Sequence, residues 1–290
     1  MLERRPHTDI RDLLLDPDTF LSPRQLLNRH RQVFFDPASR LWRECSGVES
    51  AFFWTRDQLL AVWATAHVQP KEARDAYADA TCSGLYDEGD DLWRENAISG
   101  DEEFRGDPGM QAQLVATLCE LAVDETRGRA RFERLQRTNR AIGGDQFGRR
   151  LDPELSTTDY LLAALIHVEL DRSIGNDLFE TLQRSELYDP ERQEWRNRRS
   201  DWRTSYAQLL GVFIEWLLDA PRGRKRYERL LRSGLYDARL NEWCHAWHRD
   251  EGIAKRPYTA PHLVDVAIRA RFDYAGPATE EFRVPERPTW

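Results

Sequence analysis

The chain has 290 residues, 40% of them hydrophobic, with ten Trp and a formal net charge of −8. That is enough apolar material for a sizeable core in a single repeat-built domain, and an acidic balance excludes the dense basic footprint of a nucleic-acid binder. No stretch approaches the ~20 apolar residues of a membrane span, and MLERRPHTDIRDLLLDPDTF lacks the apolar core of a signal peptide.

Cys45, Cys82, Cys119 and Cys244 are scattered without paired spacing. They read as free thiols, and a reducing cytoplasm is the expected compartment.

The first repeat, about 22–68, contains Phe35-Asp36 and, after five intervening residues, Trp42. It continues into Thr55-Arg56-Asp57-Gln58-Leu59-Leu60, a helix start. Ser or Thr followed three residues later by Gln predicts a capping box. The second, about 71–122, has Tyr77, Ala80, Ser83 and Leu85 at helical spacing, then Tyr86-Asp87 and Trp93. A looser helix start follows at Asp107-Pro108-Gly109-Met110. The third, about 126–170, keeps Phe132, Leu135 and Thr138 but has Ala141-Ile142 where the aromatic–Asp pair belongs, followed by Gly143-Gly144-Asp145. Its second helix opens on Thr157 with Tyr160.

The fourth, about 175–218, carries Phe179, Leu182, Tyr188-Asp189 and Trp195, then Ser205 with Gln208. The fifth, about 222–272, carries Tyr227, Leu230, Tyr236-Asp237 and Trp243, then Thr259 with His262. Gly84 and Gly234 fall where a left-handed C-cap would close the first helix of a pair. Residues 273–290 form a Pro- and charge-rich tail expected to wrap the surface.

The repeated Asp residues, 36, 87, 189 and 237, imply a period near fifty residues with one degenerate copy, the signature of a repeat architecture. The expectation is one all-α domain, 1–290, of five helical hairpins. Strands are not expected, because alternating Val/Ile runs are absent. The second helix of each pair is apolar nearly all round and the first is rich in Arg and Glu. That asymmetry points to an α/α toroid with buried inner helices, the alternative being an open solenoid.

An Arg/Leu-rich helix (Arg229-Leu230-Leu231-Arg232), a turn reaching Trp243 and a capped apolar helix (Thr259 through Ala270) resemble the repeat of terpenoid cyclases and protein prenyltransferases. The resemblance implies an enzyme acting on an isoprenoid. It departs from the family in its Tyr-Asp turn and in having Glu88-Gly89-Asp90-Asp91 where protonating cyclases carry Asp-x-Asp-Asp. The toroid is also similar to those of polysaccharide lyases, glycosidases and sugar epimerases, so a carbohydrate-active enzyme is an alternative. A non-catalytic scaffold that binds a protein partner is the third reading.

Features shared by the copies serve the repeat, so the Tyr-Asp…Trp set is read as structural. Departures from it are candidates for function. Among the crowded carboxylates, Asp90 or Asp91 is the candidate general acid. His245, in Cys244-His245-Ala246-Trp247-His248, and His262 are candidate acid–base residues. Trp93, Trp202 and Trp247 are candidate ligand-stacking rings, and Asp145 a candidate contact beside the Gly pair. No metal site is assigned, and the cofactor is left open.

Overall fold

The computed structural model describes residues 20–45, 52–98, 101–105, 108–139, 142, 151–198, 202–238, 240–248, 252–274 and 276. Five helical hairpins emerge, as the period requires. The outer helices are α1 (Pro23–Phe34), α3 (Pro70–Thr81), α5 (Glu125–Thr138), α7 (Arg172–Gln183) and α9 (Ala220–Leu231). The inner helices are α2 (Thr55–Val68), α4 (Met110–Val123), α6 (Thr157–Leu170), α8 (Ser205–Leu218) and α10 (Thr259–Arg271). Inner helices pack on one another in the order α2, α4, α6, α8, α10, and α10 packs back on α2. The ring is therefore closed, an α/α toroid. No helix among the described residues is long and apolar enough to cross a membrane.

One residue joins each inner helix to the next outer helix: Gln69, Asp124, Asp171 or Asp219. The three Asp cap the following helix, accepting from the backbone N–H of Arg127, of Ser173 and Ile174, and of Arg222. Gly175, one turn later, lies so close to α6 that an added Cβ would sit 2.5 Å from the Val168 backbone N. A tight corner of this kind needs a residue without a side chain at the crossing.

The expectation of no strands is overturned. The aromatic–Asp pair and the Trp zip together as short antiparallel hairpins: β1 (Phe35–Asp36) with β2 (Leu41–Trp42), β4 (Tyr86–Asp87) with β5 (Leu92–Trp93), β8 (Tyr188–Asp189) with β9 (Glu194–Trp195), and β11 (Tyr236–Asp237) with β12 (Glu242–His248). In each, the aromatic faces the Trp directly. Two-residue ladders are too short to show strand alternation in sequence. Longer pairings join β12 to β10 (Arg203–Thr204) and to β13 (Gly252–Pro257), and β6 (Asn96–Ile98) to β3 (Phe52–Trp54) and β7 (Asp101–Arg105).

The repeated Asp folds its own turn by accepting backbone N–H groups, from Gly89 at 3.1 Å for Asp87 and from Arg192 at 3.2 Å for Asp189. The Arg after the Trp pairs with that Asp in three hairpins: Arg43–Asp36 at 3.1 Å, Arg94–Asp87 at 2.7 Å and Arg196–Asp189 at 2.7 Å. The residue two before each Trp is left-handed, with φ of 58° at Arg40, 52° at Asp91, 56° at Gln193 and 50° at Asn241. Gly84 is also left-handed, at 77°, but Gly234 is not among the positive-φ residues, which corrects its expected C-cap role.

The predicted capping boxes at Thr55/Gln58 and Ser205/Gln208 are replaced by a different arrangement. Gln58 accepts the Trp42 N–H at 2.7 Å and donates to the Trp42 carbonyl at 2.6 Å. Gln113 and Gln208 hold Trp93 and Trp195 in the same way. The hydroxyl at the first helical position serves the next repeat instead. Thr55 donates to the Arg94 carbonyl, Thr157 to that of Arg196, Ser205 to that of Cys244, and Thr259 closes the ring on that of Arg43. The degenerate third copy fits this logic. Its aromatic–Asp pair and Trp are missing, α4 opens on Met110, which has no hydroxyl to offer, and α6 has Tyr160 in the Gln position.

Candidate functional site

The inner helices all begin at the hairpin end of the ring, so their positive dipole ends gather at one mouth. Their second residues are Arg56, Gln111, Thr158, Tyr206 and Ala260, and all five line a cavity of about 130 Å³. Farther down the axis the ring is filled, with Trp63 of α2 meeting Phe213 of α8 at a ring separation of 5.0 Å. At that level the interior is a packed core.

Three of the five second residues form a polar chain around the mouth. Arg56 Nη1 donates to Gln111 Oε1 at 3.1 Å, and Gln111 Nε2 donates to Thr158 Oγ1 at 2.8 Å. Arg56 also lies over the Tyr206 ring, 5.7 Å from its centre, and over Trp54 at 5.7 Å. The Arg56 Nε bonds Asp57 Oδ1 at 3.2 Å, while Asp57 Oδ2 is buried without a hydrogen-bond partner. Burial lifts the Asp57 carboxyl to about 6 against the pull of Arg56. The Tyr206 hydroxyl is likewise buried and unpartnered at the cavity wall. Burial pushes its ionisation up, so it stays a neutral donor. Orphaned polar atoms of this kind in a native site call for a ligand or an ordered water.

His245 extends from β12 into the same cavity and lies against Tyr258, ring centres 4.0 Å apart. Burial, and then Arg56, lower it to about 4, so the ring is neutral at ordinary pH. A neutral imidazole can accept a proton, Arg56 can hold a developing negative oxygen, and Tyr206 can donate a hydrogen bond.

The other expected site residues lie elsewhere. His262 is fully buried one turn into α10, where Nε2 accepts the Trp243 N–H at 3.0 Å. It occupies the structural Gln position and does not line the cavity. Asp90 is exposed in its turn. Asp91 is bonded by Tyr86 Oη at 2.6 Å and Arg131 Nη2 at 2.8 Å, and Arg127 and Arg134 also pair with it. Partial burial opposes its ionisation, but Tyr86 and these Arg outweigh that and hold the carboxyl below its usual range. It is an ion-pair anchor, and a poor proton donor.

Trp93 is wholly buried against Tyr86 and is closed to any ligand. Trp202 does not line the cavity, though Asn197, whose N–H bonds the Trp202 carbonyl at 3.1 Å, does. Trp247 pairs through its backbone with Arg203 and Ile253, and its side chain lies outside the described residues. Asp145 also lies outside them. Among the described residues no group of three or more His, Cys, Asp or Glu is placed to hold a metal ion.

Arg56, Gln111, Thr158 and Tyr206 are absent from the sequence-based expectations. Their signal was present: each directly follows, or closely follows, an aligned helix start. What was missing is which face of that start meets the axis.

The chain matches no protein-family model and no curated protein by sequence. Its fold is similar to those of solved sugar enzymes. A D-mannose isomerase superposes with a TM-score of 0.52 at 11% identity, covering 87% of this chain and 79% of that one. The cellobiose 2-epimerase of Bacillus thermoamylovorans gives 0.51 at 12%, covering 88% and 91%. The endo-beta-1,4-glucanase CMCax of Acetobacter xylinum gives 0.51 at 13%, covering 89% and 99%. At such identity the likeness establishes the toroid alone. The terpenoid-cyclase resemblance finds no support among these neighbours.

Proposed function

We propose that the chain is a carbohydrate-active enzyme that moves a proton on a small sugar, by isomerisation or epimerisation. The observation that carries this reading is the meeting of a neutral His245, the Arg56 guanidinium and the unpartnered Tyr206 hydroxyl in one small cavity. Hydroxyl, amide and guanidinium groups suit a polyhydroxy substrate, and the rings of Tyr206, Tyr258 and His245 offer faces to its C–H surfaces.

His245 would take the proton from the carbon next to an open-chain carbonyl. The C–H electron pair would pass into the adjacent C–C bond, and the carbonyl pair onto oxygen. Arg56 and Tyr206 would hold that oxygen. Return of the proton to the former carbonyl carbon, with the neighbouring hydroxyl proton passing to the former carbonyl oxygen so that the carbonyl re-forms next door, gives the isomer. Re-forming of the original carbonyl with protonation of the opposite face of the same carbon gives the epimer.

Three observations weigh against the other readings. A glycosidase commonly needs two carboxyl groups flanking the scissile bond, and none of the described residues lining the cavity is Asp or Glu. An isoprenoid needs a deep apolar chamber, whereas the axis here is filled by Trp63 and Phe213. Ring closure favours an enzyme over an open scaffold groove.

The test is proton exchange in deuterated water. The purified protein is incubated with mannose, glucose or fructose, and label at C1 and C2 is followed by NMR. Enzyme-dependent deuterium entry, lost in His245→Ala, supports the reading. Release of sugar from an oligosaccharide without any exchange would replace it with hydrolysis.

A further inference from the structure

The pseudo-symmetry of the ring sets two equivalent corners side by side for comparison. At the first, α5 packs against the β4–β5 hairpin. Arg127, Arg131 and Arg134 converge there on the left-handed Asp91. Arg131 is 2% exposed and fully engaged: Nε bonds Glu120 at 2.7 Å, Nη2 bonds Asp91 at 2.8 Å, and Nη1 bonds the Asp91 carbonyl at 3.0 Å.

At the second corner α9 packs against the β8–β9 hairpin, and every part has a counterpart. Arg222, Arg226 and Arg229 stand for Arg127, Arg131 and Arg134, Glu215 stands for Glu120, and Tyr188 stands for Tyr86. The left-handed residue, however, is Gln193 instead of Asp91. Arg229 bonds the Gln193 side-chain oxygen at 2.8 Å. Arg226 is 4% exposed, reaches Glu215 through Nη1 at 3.3 Å, and leaves Nε and Nη2 with no hydrogen-bond partner. Nη2 is the atom that grips the carboxylate at the sibling corner.

The charge difference has a definite size. Arg222, Lys225, Arg226 and Arg229 carry +4 and Glu215 and Glu228 carry −2, leaving +2 around a groove of about 500 Å³. At the matching first-corner positions, Arg127, Arg131 and Arg134 carry +3, and Glu120, Glu133 and Asp91 carry −3, leaving 0. Two substitutions, Gln193 for Asp91 and Lys225 for Ala130, account for the difference of two charges.

We infer that the α9 groove is a binding site for a compact dianion, a phosphate group held by Arg222, Lys225, Arg226 and Arg229 that displaces the neutral Gln193 amide from Arg229 and takes the place of the sibling corner's carboxylate. A planar guanidinium fork suits phosphate oxygens, and a dianion returns the corner to the balance of its sibling. None of these residues lines the mouth cavity, so the site stands apart from the proposed reaction. Its source is either free orthophosphate or the phosphate group of a small monoester.

The experiment is thermal unfolding and calorimetric titration of the full chain with orthophosphate and with glycerol phosphate, against sodium chloride at matched ionic strength. A saturable rise in Tm of roughly 5 °C at about 100-fold excess over Kd is expected for at least one of them. Tighter binding of orthophosphate assigns free phosphate, and tighter binding of the ester assigns a phosphorylated small molecule. Gln193→Asp rebuilds the sibling arrangement, so it should raise Tm without ligand and abolish the ligand shift. Lys225→Ala, on the exposed side of α9, should weaken binding roughly tenfold. A phosphate effect no larger than that of chloride, or one retained in Gln193→Asp and unchanged in Lys225→Ala, overturns the site.

Discussion

The His262 ring accepts the backbone N–H of Trp243 through Nε2 at 3.0 Å, and its Nδ1 lies 2.6 Å from the Tyr258 carbonyl. An accepting Nε2 and a donating Nδ1 fix one neutral tautomer. Protonation would put a hydrogen between Nε2 and the Trp243 amide, so the packing of the fifth hairpin depends on His262 staying neutral. Burial lowers its pKa to about 4.

A pH dependence follows, and its sign is definite. The folded pKa lies below the unfolded value near 6.5, so the stabilising contribution is present above pH 6.5 and is lost as pH falls toward 4. Between pH 7 and pH 5 this one residue removes about 2 kcal/mol. Gln fills the same position in three other repeats, so His262→Gln should fold and keep the Trp243 bond. Urea unfolding at both pH values should show the variant losing about 2 kcal/mol less than the parent. Equal losses would falsify the assignment. His67, His245, Asp57 and Glu242 titrate in both proteins and cancel in the difference, whereas His30, its ring 4.6 Å from that of His262 and its pKa lowered by burial and then by His262, is coupled to this residue and moves with it.

Ring closure has its own test in Thr259. Its N–H reaches the Glu44 carbonyl at 2.8 Å and its hydroxyl the Arg43 carbonyl, joining the last inner helix to the first hairpin. Thr259→Val keeps the shape and strands one part-buried carbonyl, at a cost of about 1 kcal/mol. Ser205→Ala removes the equivalent stitch within the ring. Chemical denaturation should give similar losses for both. A neutral Thr259→Val would mean the ring is not closed in solution.

Gly211 on α8 lies directly under the Trp195 indole, and a Cβ there would stand 1.9 Å from Nε1. Trp195 is wholly buried and has no room to retreat. Gly211→Ala should therefore cost about 3 kcal/mol or more, despite the better helix propensity of Ala. A gain in Tm would show that the hairpin is far more pliant than its packing indicates.

At the mouth, His245→Ala should lower kcat for sugar interconversion by about 10²–10⁴-fold, the range for a lost general base. Tyr206→Phe removes one hydroxyl from the cavity wall and should lower kcat by a smaller factor, with folding intact by circular dichroism. With His245 at about 4, the rate should hold from neutral pH down and fall only near pH 4. A Tyr206→Phe variant with full activity would remove that hydroxyl from the reaction.

The repeat was legible in the sequence because it is local and periodic. Tyr86-Asp87 with Trp93, and its copies, recur at a period near fifty residues, and the ten helices among the described residues pair up with that period. The inner ring was legible too, since α8 is apolar on nearly every face and only a buried helix tolerates that. Partnerships across repeats were not legible. Gln58 and Thr55 look like a capping box, yet one holds Trp42 and the other holds Arg94, thirty-nine residues onward.

The site divides in the same way. His245 stood out as a departure from the repeat and does reach the cavity. Arg56, Gln111, Thr158 and Tyr206 sit in four different repeats, and only closure of the ring brings them to one axis. Conversely, the acidic run at Asp90-Asp91 looks reactive along the chain, but three Arg from α5 neutralise Asp91 in space, and Asp90 is exposed in its turn. Local spacing determines which helices form and which face is buried. Which side chains meet is decided by how five hairpins close, because those contacts span the full length of the chain.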